Sequence, residues 1–136
     1  MQVQPYLNFD GRCEEALEFY RKTLGAEVTM MMRFKDCPEP QPGSCVPGTE
    51  DKVMHASLRI GESTVLASDC RSQGHTSFQG FSLSLMPATE AQADKVFAAL
   101  SDGGQVQMPL TKTFFAKRFG VLADRFGVSW MIVVMA

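Results

Sequence analysis

Histidine is scarce in this chain, with two in 136 residues, His55 and His75. A metal centre built on several imidazoles therefore has too few ligands to draw on. The four cysteines, Cys13, Cys37, Cys45 and Cys70, show no C-x-x-C spacing, which excludes the usual structural zinc site. No apolar run approaches the roughly 20 residues that span a bilayer. The opening Met1-Gln2-Val3-Gln4-Pro5 lacks the basic and apolar regions of a signal peptide. The expectations are therefore a cytoplasmic protein, no membrane partner, and cysteines that stay free thiols. Thirteen Lys and Arg stand against fifteen Asp and Glu without a basic stripe, so nucleic acid is not an expected partner. There is no P-loop, no G-x-S-x-G elbow and no H-E-x-x-H, and the chemistries tied to those motifs drop out with them.

What the chain does have is written twice. Val3–Phe9 reads as a strand and is followed by an amphipathic helix, then Gly25-Ala26-Glu27-Val28 opens another strand. Phe81–Met86 repeats the opening, a second amphipathic helix follows, and Gly103-Gly104-Gln105-Val106 opens the next strand. Each half closes on a hairpin, turned at Arg59-Ile60-Gly61 in the first and at Arg125-Phe126-Gly127 in the second. The fold class this predicts is α+β, with two βαβββ modules forming a curved, mixed, mostly antiparallel sheet. The chain is one domain over 1–136, with sub-modules 1–70 and 77–136.

The elements have local support. Val3, Pro5, Leu7 and Phe9 alternate with polar residues, a period-two strand pattern, and Pro5 marks an edge or a strand start. Cys13, Ala16, Leu17, Tyr20 and Leu24 make one helical stripe, so Cys13 is expected to pack rather than react. Gly25 is the natural helix stop. Val28–Phe34 is a strand whose methionines are expected to fill the core, the alternative being an adaptable pocket lining. Asp36–Asp51, with four prolines, is a loop, and Cys70–Ser77 reads as the linker. Thr89-x-x-Gln92 is a capping box for the second helix. Ser129–Met135 is too continuously apolar for an edge and belongs inside a sheet.

The order of these elements, with Ala16-Leu17-Glu18-Phe19-Tyr20, Leu24-Gly25-Ala26 and Asp124-Arg125-Phe126-Gly127 before Trp130, resembles the vicinal oxygen chelate superfamily. That superfamily holds glyoxalase I, bleomycin-resistance proteins and extradiol dioxygenases. Pro5-Tyr6-Leu7-x-Phe9, His55-Ala56-x-x-Arg59-Ile60, Ser68-Asp69 and Thr113-Phe114-Phe115 bring the resemblance closer to its PhnB-like subgroup, sometimes labelled demethylubiquinone-methyltransferase-like. The resemblance implies the glyoxalase/bleomycin resistance-like fold and a homodimer. It does not carry the methyltransferase label with it, because the chain lacks the glycine-rich loop that binds S-adenosylmethionine.

Metal-dependent relatives hold a divalent ion with one ligand from the first and one from the last strand of each module. On this chain those positions fall at Pro5, Phe81, Met131, and Val65 or Ala67, none of which supplies a nitrogen or oxygen ligand. No metal and no cofactor are therefore expected. The polar candidates for catalysis are His55 and Asp69, a base and its orienting carboxylate across the Gly61 turn, or else a structural hydrogen-bonded pair or two unrelated surface groups. Phe81, Phe115, Trp130 and Met131 are the candidate ligand wall, or else plain core. The leading expectation is a metal-free protein that binds a small-molecule ligand in an apolar cavity. The alternatives are an enzyme using His55 and Asp69 or a non-standard metal site, and a scaffold or interaction subunit without ligand.

Overall fold

Pro5 cannot donate a hydrogen bond to a ladder, and the chain uses it to begin an edge strand. In the computed structural model, which describes residues 1–36, 50–69 and 76–136, strand β1 (Tyr6–Asn8) starts directly after it. Pro5 still contributes as an acceptor, its carbonyl taking the N–H of Leu66 at 2.8 Å. The strand expected over Val3–Phe9 is thus shorter, and Val3 is exposed.

Two units follow one another, Met1–Thr76 and Ser77–Ala136. The first runs β1, α1 (Cys13–Leu24), β2 (Glu27–Arg33), β3 (Val53–Ile60) and β4 (Ser63–Ser68), with sheet order β1-β4-β3-β2. The second runs β5 (Leu83–Leu85), α2 (Glu90–Ser101), β6 (Gln105–Thr111), β7 (Ala116–Ala123) and β8 (Ser129–Met135), with sheet order β5-β8-β7-β6. Each sheet is mixed: its first strand is parallel to its last, and the other pairs are antiparallel. The apolar run Ser129–Met135 lies between β5 and β7, inside its sheet as its composition predicts.

Each sheet buries one face under its helix. Cys13, Ala16, Leu17, Phe19 and Tyr20 of α1 are buried with Leu7, Ala56, Leu58, Val65 and Ala67 of the strands. Complete burial of each larger side chain in that set stabilises the unit by about 1.5–3 kcal/mol. Ala93, Val96, Phe97 and Leu100 of α2 do the same with Leu122, Trp130 and Ile132. Gly25 ends α1 in the left-handed conformation at φ 65°. Thr89 Oγ1 accepts the N–H of Gln92 at 3.1 Å, while Gln92 Oε1 accepts that of Ala88 at 3.0 Å, one residue before the expected partner. The predicted loop Asp36–Asp51 lies outside the described residues over 37–49, and so do Cys37, Cys45, Cys70 and His75. The predicted linker Cys70–Ser77 is outside them over 70–75.

Candidate functional site: the helix-free sheet faces

Strand alternation gives each sheet a second face, away from its helix. The register identifies what lies there. In the first unit one rung runs across all four strands: Tyr6 opposite Leu66, Leu66 opposite Ser57, and Ser57 opposite Met30. In the second unit the matching rung is Ser84, Met131, Val121 and Met108. The two rungs correspond position by position, and each ends on a methionine that follows a register shift in the edge strand. The repeat thus extends from element order down to single residues.

The neighbouring rung differs between the units. In the first, His55 lies opposite Met32. The His55 ring meets Tyr6, with Nδ1 and the phenol oxygen 3.1 Å apart and ring centroids 5.6 Å apart. In the second, Phe119 lies opposite Val133, and Phe115 stacks edge-on against Phe119 at 5.2 Å. Phe114, almost fully exposed, stacks in turn on Phe115 at 5.1 Å. One helix-free face is therefore part polar and sulfur-rich, the other apolar and aromatic.

Asp69 is not part of this arrangement. Its Oδ1 accepts the backbone N–H groups of Gly11 at 2.7 Å and Cys13 at 2.9 Å, and its Oδ2 accepts that of Val53 at 3.0 Å. The carboxylate faces the helix side, whereas His55, two residues from Ser57 on β3, faces the other. The structure does not bring the candidate pair together, and the hydroxyl beside His55 is that of Tyr6.

The candidate ligand wall also divides. Met131 lies on the helix-free rung, and Phe115 joins that face through Phe119. Trp130 points the other way: it is 2% exposed, and its Nε1 donates to Asp124 Oδ2 at 2.9 Å. Phe81 lies before β5 and is exposed. On the second sheet Met108, Phe119 and Val121 take the vacated places; correct strand registers would have identified them. The methionines of β2 are not core filler, since Met30 is 42% exposed and Met31 is exposed beside it.

The same register corrects the metal-ligand positions. The partner of Met131 in the first unit is Leu66, because Val65 and Ala67 are buried on the helix side. The first-strand positions are Tyr6 and Ser84 rather than Pro5 and Phe81. In neither unit does the pair, Tyr6 with Leu66 or Ser84 with Met131, offer an imidazole or a carboxylate, so neither pair fits the divalent ion of metal-dependent relatives. Among the described residues no three His, Cys, Asp or Glu side chains gather as they would around such an ion. No described helix is long and apolar enough to cross a membrane.

The comparisons with known proteins agree with this architecture. Protein PA1353 from Pseudomonas aeruginosa has a similar crystal structure, with 41% identity, 99% of this chain and 98% of that one covered, and a TM-score of 0.86. A PhnB protein from Bacillus cereus is 30% identical, with 98% and 99% covered and a TM-score of 0.79. A glyoxylase/bleomycin resistance protein/dioxygenase domain from Frankia sp. EAN1pec shares the fold at a TM-score of 0.69 with 12% identity, covering 99% of this chain and 95% of its own. Protein YjdN of Escherichia coli is 35% identical over 99% of this chain and 96% of its own length. The family model described as 3-demethylubiquinone-9 3-methyltransferase matches residues 1–133. With that match and these relatives, the chain belongs to the PhnB-like family so described, and it shares the glyoxalase/bleomycin resistance-type fold.

Proposed function

We propose that this protein binds an apolar or aromatic small molecule without a metal, against the helix-free face of its second sheet. The observation that supports this reading is the Ser84–Met131–Val121–Met108 rung, flanked by the Phe119–Phe115 stack. Every side chain of that set except serine is apolar, two are flexible thioethers that adapt to a ligand's shape, and aromatic edges add selectivity for rings. Binding is proposed to occur in a cytoplasmic homodimer. The methyltransferase in the family's description is not part of the proposal, because the sequence has no glycine-rich loop for S-adenosylmethionine.

A second reading, an enzyme, has one supporting observation in the Tyr6–His55 pair. An imidazole oriented by a phenol on an accessible face is a candidate general base. Asp69, turned to the helix side, has no place in that reading.

Native mass spectrometry of the protein purified without chelator, alongside Val121→Glu, tests the binding proposal. The expected result is a dimer without divalent metal that carries an organic mass, or takes up the fluorescent probe anilinonaphthalenesulfonate, with both lost in Val121→Glu. A near-stoichiometric divalent ion would overturn the metal-free reading. A bare protein that ignores the probe would overturn the ligand reading itself.

A further inference from the structure

The helix-free face of the first unit carries chemistry that an apolar ligand does not call for. Met30 and Met32 are two residues apart on edge strand β2 and lie on the same face, opposite Ser57 and His55 of β3. Directly paired strand residues have Cβ atoms about 5 Å apart. The arms of Met30 and Met32, each with three rotatable side-chain bonds, can therefore bring both sulfurs to one point in front of the His55 ring. Neither thioether is used to fill the core: Met30 is exposed and Met32 half-buried. The imidazole is already held in orientation, since its Nδ1 meets the Tyr6 hydroxyl at 3.1 Å. With Nδ1 donating to that oxygen, Nε2 is left with a lone pair, and Nε2 has no hydrogen-bond partner among the described residues.

The geometry points to a soft-cation site on this face, with the thioethers of Met30 and Met32 and His55 Nε2 as ligands and copper(I) as the fitting ion. Two thioethers and an imidazole, without a carboxylate or thiolate, suit a soft monovalent cation and disfavour magnesium, calcium and zinc. Tyr6 is a positioning residue. Its hydroxyl holds the ring plane and can accept from Nδ1–H in the tautomer that ligates through Nε2, the part usually played by the hydrogen-bond partner of a metal-binding histidine. Arg59 and Glu27, further along the same two strands, are paired with one another, and Arg33, next to Met32, is paired with Glu14. The site differs from the superfamily's usual metal position in donors, strands and preferred ion, and it rests on the first unit alone, so it stands or falls separately from the organic-ligand reading.

The test is an anaerobic copper(I) titration of the full chain against a competing chromophoric chelator, in a Cys37→Ser, Cys45→Ser, Cys70→Ser background that removes competing thiols. Cys13 is retained because it is buried, on the first turn of α1. The expected result is one ion per chain, with NMR shifts of the Met30 and Met32 methyl groups and the His55 ring while the other methionine methyls stay in place. His55→Gln and the pair Met30→Leu, Met32→Leu should each weaken binding at least about a hundredfold, and Tyr6→Phe about tenfold, as loss of an orienting partner does. Leucine conserves volume at exposed Met30 and half-buried Met32, so the leucine variant should keep the wild-type amide spectrum. Absence of binding would overturn the proposal. So would copper(I) that shifts other methyl groups, or an affinity unchanged in the variants.

Discussion

The carboxylate of Asp69 accepts the backbone N–H of Cys13 at 2.9 Å, joining the end of β4 to the first turn of α1 across 56 residues of chain. Arg12 at the helix start supplies no side-chain cap, so Asp69 does that work from a distance, and it holds Gly11 and Val53 as well. Three N–H groups, two of them buried, lose their acceptor if the carboxylate is removed. Asp69→Ala should therefore lower stability by about 3 kcal/mol or more, with Asn intermediate because its amide nitrogen cannot accept. Urea unfolding followed by circular dichroism measures this, and a loss below about 1 kcal/mol would contradict the structural role.

Asp124 does the equivalent service in the second unit with a different set of donors. Its Oδ1 takes the N–H groups of Phe126 and Val128 at 2.9 and 3.1 Å, and its Oδ2 takes Trp130 Nε1 at 2.9 Å. Trp130→Phe should cost about 1–2 kcal/mol through the lost charge-assisted bond and the lost packing. A double-mutant cycle with Asp124→Ala should return a coupling of about 1 kcal/mol or more. Additive losses would mean that the two side chains act independently.

The contrast between the two helix starts explains how much of this protein can be read from its sequence. The N-terminus of α2 is visible because Thr89 and Gln92 are three residues apart and cap it locally. That of α1 is not, because its cap comes from Asp69, and no local pattern reports a partner so far along the chain. The repeat, the strand order and the interior place of β8 follow from hydrophobic period and glycine position, which are local signals. Faces are harder. A one-residue shift in register exchanges the two sides of a strand, and that shift is what separates Val65 and Ala67 from Leu66 and Pro5 from Tyr6, whereas Phe81, three residues before Ser84, falls short of β5 altogether. The methionines of β2 were ambiguous for a related reason, since hydrophobicity alone does not say whether an edge strand's outer face is covered.

Two glycines are fixed by close approach rather than by backbone angle. A Cβ on Gly104 would lie 2.2 Å from the carbonyl oxygen of Ala123, and one on Gly120 would lie 2.7 Å from the Phe97 ring and 2.9 Å from the Leu110 Cα. The Gly104 contact is backbone on backbone, where nothing can rotate away. Gly104→Ala and Gly120→Ala should each cost about 2–3 kcal/mol by overpacking. Thermal unfolding compares them with Gly61→Ala, where the Cβ meets nothing within 4 Å and only the φ of 59° is strained. The Gly104 variant should be the least stable of the three, and equal losses would contradict the steric account.

The ion pair between Glu14 and Arg33 gives a pH dependence of defined sign. Arg33 reaches from the end of β2 to the Glu14 carboxylate on α1, and its Nη1 also donates to the Asp51 carbonyl at 2.6 Å. The hydrogen bond from Arg33 holds the Glu14 carboxyl below its ordinary value, outweighing the upward push of burial. A carboxylate depressed in the folded state stabilises it at pH above the ordinary glutamate value of about 4.3, and this contribution disappears as pH falls through the lower folded value. Glu14 is largely exposed, so solvent screening keeps the contribution to about 0.5 kcal/mol. Glu14→Gln should therefore be slightly less stable than the parent near neutral pH, and the difference should close on acidification. A gap that stays constant down to strongly acid pH would show that the carboxylate's charge is not what couples α1 to β2.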